Sequence, residues 1–244
     1  MRAAIRGLKR YIATPEVTKH RIFAWLDSVI LPDKKLMVIA RDDDYTFGIV
    51  HSRIHEMWAL AQCTWHGIGN DPRYTPSTCF ETFPFPRATS TQEKAIAAAA
   101  KELNELRERW LNPPEWTVEK ILEFPGSIGG AWQRYIDPKT VNAKTGVGTV
   151  HYPRLEPRDA DCAAKLKERT LTKLYNERPA WLDMAHKKLD AAVAAAYGWT
   201  ADLSDEQILE KLLALNLERA AEEAKAAKVK KPKAQREKQA EEMI

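Results

Sequence analysis

Residues 36–86 read LMVIARDDDYTFGIVHSRIHEMWALAQCTWHGIGNDPRYTPSTCFETFPFP, and the expected fold is built around this segment. Two apolar runs, Leu36–Ala40 and Phe47–Val50, flank the polar segment Arg41–Asp44. Short runs rich in β-branched residues on either side of an Asp-rich break are typical of a strand hairpin. Apolar residues at three- to four-residue spacing from Ile54 to Ala61 predict that a helix follows.

The loop after this helix combines flexible backbone with side chains that recognise bases. It contains Trp65, His66, Asn70 and Arg73, interrupted by Gly67 and a second glycine. Arginine matches guanine and asparagine matches adenine in the major groove, and an indole stacks on bases. An ordinary loop whose aromatic residues cap a small core would have the same composition. Composition leaves both interpretations open.

Several long phrases resemble the target-recognition region and carboxyl-terminal part of single-chain adenine-N6 DNA methyltransferases. These enzymes belong to type IIG and IIL restriction–modification systems. The resemblance rests on FGIVHSRIHEMWAL and DPRYTPSTCFETFPFP within residues 36–86. Three further phrases agree in the same order: RYIATPEVTKHRIFAWL (10–26), LNELRERWLNPPEW (103–116) and LYNERPAWLDMAHKKLDAAVAAAYGW (174–199).

The resemblance implies a DNA-reading function. The chain is expected to bind double-stranded DNA, read a short sequence and present its adenine to a methyltransferase catalytic domain or subunit that uses S-adenosylmethionine. The predicted base contacts are Trp65, His66, Asn70, Arg73, Arg41 and Arg53. The predicted phosphate contacts are Lys19, His20 and Arg21, because basic side chains beside a sheet position a protein on the DNA backbone. A solvated charge cluster explains that triplet equally well.

The resemblance and the periodicities together predict an α+β fold, with a small partial β-sheet target-recognition region followed by a mainly α-helical bundle. The expected organisation is a partial target-recognition domain (1–89), a spacer helix (90–116), an irregular loop region (117–157), a helical carboxyl-terminal domain (158–220) and a disordered charged tail (221–244). We expect a short helix near residues 118–124, a capping box at Ser90–Glu93, and one helix over 158–175. A further helix should start at Pro179 and stop at Gly198.

Composition restricts the class of protein. The chain has 244 residues, a net charge of +4 and 44% apolar residues, and no run approaches the length of a membrane span. The amino-terminal segment lacks an apolar signal core, so the expected location is the cytoplasm, without a membrane partner. Residues 1–90 hold 12 Lys/Arg against 9 Asp/Glu, which is compatible with a phosphate-facing surface. Three cysteines without metal-like spacing predict neither a metal site nor disulfides.

No catalytic or cofactor-binding residue is predicted in this chain. The segment Asn112–Glu115 resembles the Asn/Asp-Pro-Pro-aromatic tetrapeptide of amino-group methyltransferases, but Trp116 comes one position late and a helix precedes it. Glycines at 126–130 and 146–148 follow no convincing strand. We therefore expect S-adenosylmethionine to be bound by a catalytic domain outside the chain. A helical protein–protein scaffold and an inactive truncated methyltransferase fragment remain alternatives.

Overall fold

The computed structural model describes residues 2–67 and 71–241. Helices and strands are mixed, and every paired strand is antiparallel. The predicted α+β class is confirmed. The elements are α1 (Arg2–Ile5), β1 (Arg10–Pro15), β2 (Ala24–Asp27), β3 (Leu36–Ile39), α2 (Asp44–His51), α3 (Arg53–Gln62), β4 (Thr64–His66), β5 (Asp71–Arg73), α4 (Ser90–Leu111), β6 (Thr117–Ser127), β7 (Val147–Pro157), α5 (Ala160–Lys167), α6 (Leu171–Glu177), α7 (Ala180–Tyr197) and α8 (Asp205–Glu241).

The first sheet has three strands in the order β2–β1–β3. β1 is its centre, with Ile12 opposite Trp25 on one side and Ile39 on the other. Ile12 and Phe23 are fully buried, so the sheet packs on the main core through β1 and the residue before β2. The sheet therefore covers one side of the main core in the amino-terminal region.

The segment from Asp44 to His51 is a helix, so the predicted strand at Phe47–Val50 is wrong. Asp43 is its N-cap, and the Asp43 carboxylate accepts hydrogen bonds from Thr46 N at 2.7 Å and Thr46 Oγ1 at 3.1 Å. The Asp-rich segment therefore starts a helix rather than turning a hairpin. Residues 46–51 are all buried, and a short run that is apolar all round cannot be distinguished from a strand by periodicity.

Helix α2 lies in the centre of the core, against α4 and α7. A Cβ at Gly48 would come within 2.7 Å of Ile96 on α4 and 3.2 Å of Leu189 on α7, so the absence of a side chain permits this close approach. Ser52 separates α2 from α3 and caps α3 through its hydroxyl. Helix α3 confirms the prediction made from Ile54 to Ala61. The amino-terminal sheet and the helices therefore share one core.

Helix α4 has nearly the predicted limits. Its capping box is formed by Thr89 and Gln92, one residue earlier than the predicted Ser90–Glu93 pair. Its buried face includes Ile96 and Leu103. The helix ends at Leu111, with Asn112 as its C-cap and Pro113 directly after it, so the segment Asn112–Glu115 is a helix stop.

Residues 117–157 form a long antiparallel hairpin, so both the irregular region and the predicted short helix at 118–124 are wrong. Strands β6 and β7 pair over eleven residues each, from Thr117 opposite Pro157 to Ser127 opposite Val147. Prolines fit here because each strand of a two-stranded sheet has a free edge, where a missing N–H costs nothing. Glycines and prolines therefore gave a misleading loop signal.

The carboxyl-terminal region is helical, as predicted, but its first helix is divided. Asp159 caps α5 and Thr170 caps α6, which replaces the predicted single helix over 158–175. Helix α7 follows Pro179 and stops at Gly198, whose φ is +71°, as predicted.

Helix α8 extends through part of the segment that was predicted to be disordered. Its backbone is helical to Glu241, and the rest of the tail, 242–244, lies outside the described residues. The alanine, glutamate and lysine residues of this segment have high helix propensity, which outweighs their low hydrophobicity. Within the described residues no helix is long and apolar enough to cross a membrane.

Candidate nucleic-acid interface

Strands β4 and β5 form a short hairpin that presents two of the predicted base contacts to solvent. Trp65 pairs with Pro72 and His66 with Asp71. The Trp65 side chain is half exposed and His66 is exposed, whereas Pro72 is buried. The predicted contact Asn70 lies outside the described residues, between the two strands. An exposed indole at this position is available to stack on or pack against a nucleic acid.

Arg73 lies at the end of β5 and forms an ion pair with Glu16, just after β1. The Arg73 Nε and Nη2 atoms both lie 2.6 Å from Glu16 Oε1. The Tyr74 backbone N–H donates to Glu16 O at 2.7 Å, which ties the β4–β5 hairpin to the main sheet. Partial desolvation opposes ionisation of Glu16, but Arg73 and Lys35 lower its pKa overall, so this carboxylate is charged at neutral pH.

Arg21 was predicted to contact phosphate, but the structure buries it, which corrects that prediction. Its guanidinium donates to Thr14 Oγ1 at 3.1 Å, to Pro15 O at 2.5 Å and to Pro72 O at 3.0 Å. It also lies over the Tyr74 ring, 4.9 Å from the centroid. These contacts connect β5 to β1 on the buried side of the two strands. Arg21 therefore stabilises the interface and does not face a ligand.

Lys19 and His20 bond to the same residue of helix α6. Lys19 Nζ lies 2.9 Å and His20 Nε2 lies 2.8 Å from Asn176 Oδ1. Lys19 is exposed and His20 is partly buried. Lys19 thus keeps a solvent-facing ammonium beside the sheet, and both side chains also link the amino-terminal region to the helices.

Arg53 was predicted to contact a base, but its side chain is held by the segment that starts α8. Arg53 Nε donates to Asp205 Oδ1 at 3.0 Å and Nη1 donates to Leu203 O at 2.9 Å. The backbone N–H of Arg53 donates to Asp190 Oδ1 at 2.8 Å. The structure therefore assigns Arg53 to the contact between α3 and the carboxyl-terminal helices.

Arg41 is exposed at the rim of a cleft of about 920 Å³ that sequence reasoning missed. The cleft lies between β3, the start of α2 and the segment 74–86. Its aromatic lining comes from Tyr45, Phe80 and Phe85. The high density of Phe and Pro residues at 80–86 is apparent in the sequence and could have indicated an aromatic surface. Only the fold shows that these residues lie beside Arg41. The cleft adds an aromatic surface next to a predicted base contact.

The buried histidine His55, near the β4–β5 hairpin, has a structural role. His55 Nδ1 donates to Val50 O at 3.0 Å, and the Tyr74 hydroxyl donates to His55 Nε2 at 3.2 Å. Burial lowers the pKa of His55 to about 3, so the ring is neutral. Burial also raises the pKa of Tyr74. This chain of hydrogen bonds supports the backbone directly behind Arg73.

A small polar cavity of about 100 Å³ lies where α3 meets α6 and α7. The Tyr175 hydroxyl donates to His186 Nε2 at 2.9 Å, and burial lowers the pKa of His186 to about 4. Burial raises the pKa of Asp190 to about 6. His186 is 7% exposed, although it precedes Lys187 and Lys188 in the sequence. This cavity is part of the packing between the two regions.

The glycine clusters do not form a nucleotide-binding loop. Gly126 and Gly148 face each other in the β6–β7 hairpin, and residues 128–130 form the turn after β6. A loop that cradles S-adenosylmethionine would connect a strand to a helix. The residues described in this region therefore do not fit that cofactor.

Comparison with known proteins identifies the region that contains these side chains. Residues 11–87 match the profile of the protein family described as "MmeI, target recognition domain". This segment extends from β1 to the end of the Pro-rich segment after β5. It includes Trp65, His66, Arg73 and Arg41. The predicted resemblance to type IIL enzymes is thereby confirmed.

Two relatives match over most of the chain. "DNA methyltransferase A" of Bacillus subtilis (strain 168) is 27% identical over 212 residues, which cover 84% of this chain and 17% of that protein. The solved structure of the type IIL restriction–modification enzyme MmeI in complex with DNA has the same fold, with a TM-score of 0.60 and 18% identity. That match covers 88% of this chain and 22% of the MmeI chain. The chain thus spans about a fifth of the length of these relatives.

Proposed function

We propose that this chain is the DNA target-recognition part of an S-adenosylmethionine-dependent adenine-N6 methyltransferase of a restriction–modification system. The observation that carries the proposal is the match of residues 11–87 to a target recognition domain, because the same segment contains the exposed residues of the β4–β5 hairpin. In this proposal the chain reads a short duplex sequence in the cytoplasm for a methyltransferase catalytic domain, which binds the cofactor.

The proposed reading surface consists of the β4–β5 hairpin with Trp65 and His66, the adjacent Arg73, and Arg41 at the rim of the cleft. Arginine donates two hydrogen bonds to guanine O6 and N7, and each such contact contributes about 1–3 kcal/mol of discrimination. Trp65 supplies apolar contact or stacking. Asn70 lies outside the described residues and stays a predicted contact to adenine.

The phosphate contacts are proposed at the edge of this surface. Lys19 is exposed, and its ammonium suits a sequence-independent contact to the DNA backbone. His20 is a weaker member of this set because it is partly buried against Asn176. Phosphate contacts orient the duplex, so that the hairpin meets base edges.

The test is selection of binding sites from a random duplex library by the purified chain at two salt concentrations. We expect enrichment of one short motif that contains an adenine, and loss of that enrichment in Arg73→Ala and Trp65→Ala. Arg109→Ala is the matched control, because Arg109 is an exposed arginine on α4 outside residues 11–87. Sequence-blind binding, or no binding at either salt concentration, would contradict the proposal.

A further inference from the structure

The pairing of Arg73 with Glu16 leaves one edge of the guanidinium available. Arg73 approaches Glu16 side-on, through Nε and Nη2 at 2.6 Å from the same carboxylate oxygen. A guanidinium has five N–H donors in a rigid plane. The contact with Glu16 uses the Nε edge, so the end edge, formed by Nη1 and the second Nη2 hydrogen, points away from the carboxylate. Within residues 2–67 and 71–241, no other hydrogen-bond partner of this guanidinium is observed.

Glu16 is a fixed support for this contact. Its backbone N–H donates to Lys35 O at 2.8 Å, and its backbone carbonyl accepts from Tyr74 N at 2.7 Å. The Glu16 side chain is only 13% exposed, whereas that of Arg73 is 44% exposed. Lys35 Nζ lies 3.5 Å from the second carboxylate oxygen. The carboxylate is therefore held by the sheet, and the arginine is the member of the pair that extends into solvent.

Buried Arg21 fixes the backbone on both sides of the pair. It donates to the carbonyls of Pro15 and Pro72, which are the residues directly before Glu16 and Arg73. The two strands that carry the pair are thus joined both through Tyr74 and through Arg21. The position of the Arg73 side chain is set by this support before any ligand arrives.

We propose that Glu16 is a positioning residue that holds Arg73 side-on, so that the end edge of its guanidinium is presented to one guanine of the recognised sequence. This inference rests on the proposed DNA-reading function and adds a specific role within it. Guanine O6 and N7 are two acceptors on the major-groove edge, and they accept from the two end donors of an arginine. Lysine lacks this planar geometry and could not replace Arg73.

The effect of Glu16 should appear in specificity rather than in stability. An ion pair with one exposed partner contributes little to folding. Holding the arginine in its bound conformation instead removes part of the ordering cost of binding. Without the carboxylate, Arg73 would sample several rotamers and contact phosphates or other bases. Discrimination at one base pair should fall, while the sequence-independent part of the binding remains.

The experiment measures competition binding of the selected duplex and all of its single-base variants to the full chain. The variants are Glu16→Gln, Arg73→Lys and Lys35→Gln. Lys35→Gln is the matched control, because Lys35 lies 3.5 Å from the other oxygen of the same carboxylate and is 73% exposed. Glutamine keeps the size and one acceptor of Glu16 but removes its charge. Thermal unfolding of each variant checks that the fold is intact.

We expect Glu16→Gln to lose about five- to tenfold discrimination at one guanine, at the same position as Arg73→Lys, with unchanged preferences elsewhere and an unchanged salt dependence. Lys35→Gln should behave as the unaltered chain. Unchanged discrimination in Glu16→Gln, or a loss spread evenly over all positions, would overturn this inference alone. If the unaltered chain ranks all duplexes alike, the proposed function fails and the inference fails with it.

Discussion

Arg107 Nη1 donates to His51 Nε2 at 2.7 Å in the centre of the core. The same ring nitrogen accepts from the Phe23 N–H at 3.1 Å, and Arg107 Nη2 donates to Phe23 O at 2.8 Å. Because His51 Nε2 is an acceptor, the ring is neutral, and burial together with Arg107 lowers the pKa of His51. Arg107 thus connects α4 to both α2 and the start of β2. The target-recognition region is fixed to the helices through a buried polar network.

Replacement of Arg107 should strongly destabilise the fold. Arg107→Met would leave Phe23 O without its donor and His51 Nε2 with only the Phe23 N–H, both in buried positions, so we expect a loss of about 3 kcal/mol in the free energy of unfolding. Urea denaturation measures this loss. Arg109→Met, at an exposed position on the same helix, should change stability by less than about 0.5 kcal/mol. Equal effects of the two substitutions would contradict the anchoring role of Arg107.

Gly48 should not tolerate a methyl group. In Gly48→Ala the new Cβ would lie 2.7 Å from Ile96 Cγ2 and 3.0 Å from Ala100 Cβ. Overpacking costs about 1–3 kcal/mol, which exceeds the gain of about 0.5–1 kcal/mol in helix propensity. The double variant with Ile96→Ala should cost clearly less than the sum of the two single variants, because the clash is removed. Additive losses in urea denaturation would show that α2 and α4 do not meet at this point.

Asp190 should make stability depend on pH. Burial raises its folded-state pKa to about 6, so its contribution to stability is fully present below the unfolded-state pKa and is lost as pH rises through about 6. Asp190→Asn keeps an acceptor for the Arg53 N–H and does not titrate. The free energy of unfolding of this variant, relative to that of the unaltered chain, should rise by about 2 kcal/mol between pH 4 and pH 7.5. A difference in unfolding free energy that is constant over this range would refute the assignment.

Substitutions of Arg21 and Lys19 should affect different properties: the first should lower stability, and the second should weaken DNA binding. Arg21→Met removes three hydrogen bonds, two of them to buried acceptors, and should cost about 2 kcal/mol or more in unfolding free energy. Lys19→Ala should leave stability nearly unchanged but lower the slope of log affinity against log salt by about 1. Denaturation and salt titration measure the two quantities. A salt slope that changes with Arg21 and not with Lys19 would restore the phosphate role originally expected for Arg21.

Local signals explain which elements the sequence predicted well. Helix α7 has a proline before its first residue and Gly198 after its last. Each of these residues determines a helix end through contacts within one helical turn, so the sequence alone indicates both ends. Helix α4 has a capping box and a long apolar seam, although the box is shifted by one residue to Thr89. Helix α2 was misassigned because all of its central residues are buried, which removes the periodicity that distinguishes a helix from a strand.

The candidate site was only partly predictable for a related reason. Residue type alone selected Trp65 and Arg73, and the structure places both at the surface. The partner of Arg73 is Glu16, 57 residues earlier in the chain, and no local pattern indicates such a contact. Burial also separates Arg21 from Lys19, two residues earlier, because the Arg21 side chain packs inward on β1 and β5 whereas Lys19 stays exposed. Long-range packing therefore decides which basic residues are free to bind a ligand.

Amide hydrogen–deuterium exchange with and without a duplex is the most direct test of the proposed DNA-reading face. We predict slower exchange on DNA addition in the segments 39–42, 64–67 and 71–75, with little change in α5 and α7. A duplex enriched by selection serves as the ligand, and the same measurement on Arg73→Ala is the control, in which protection of the hairpin should weaken. Protection confined to α5–α8, or none at any duplex concentration, would contradict the account.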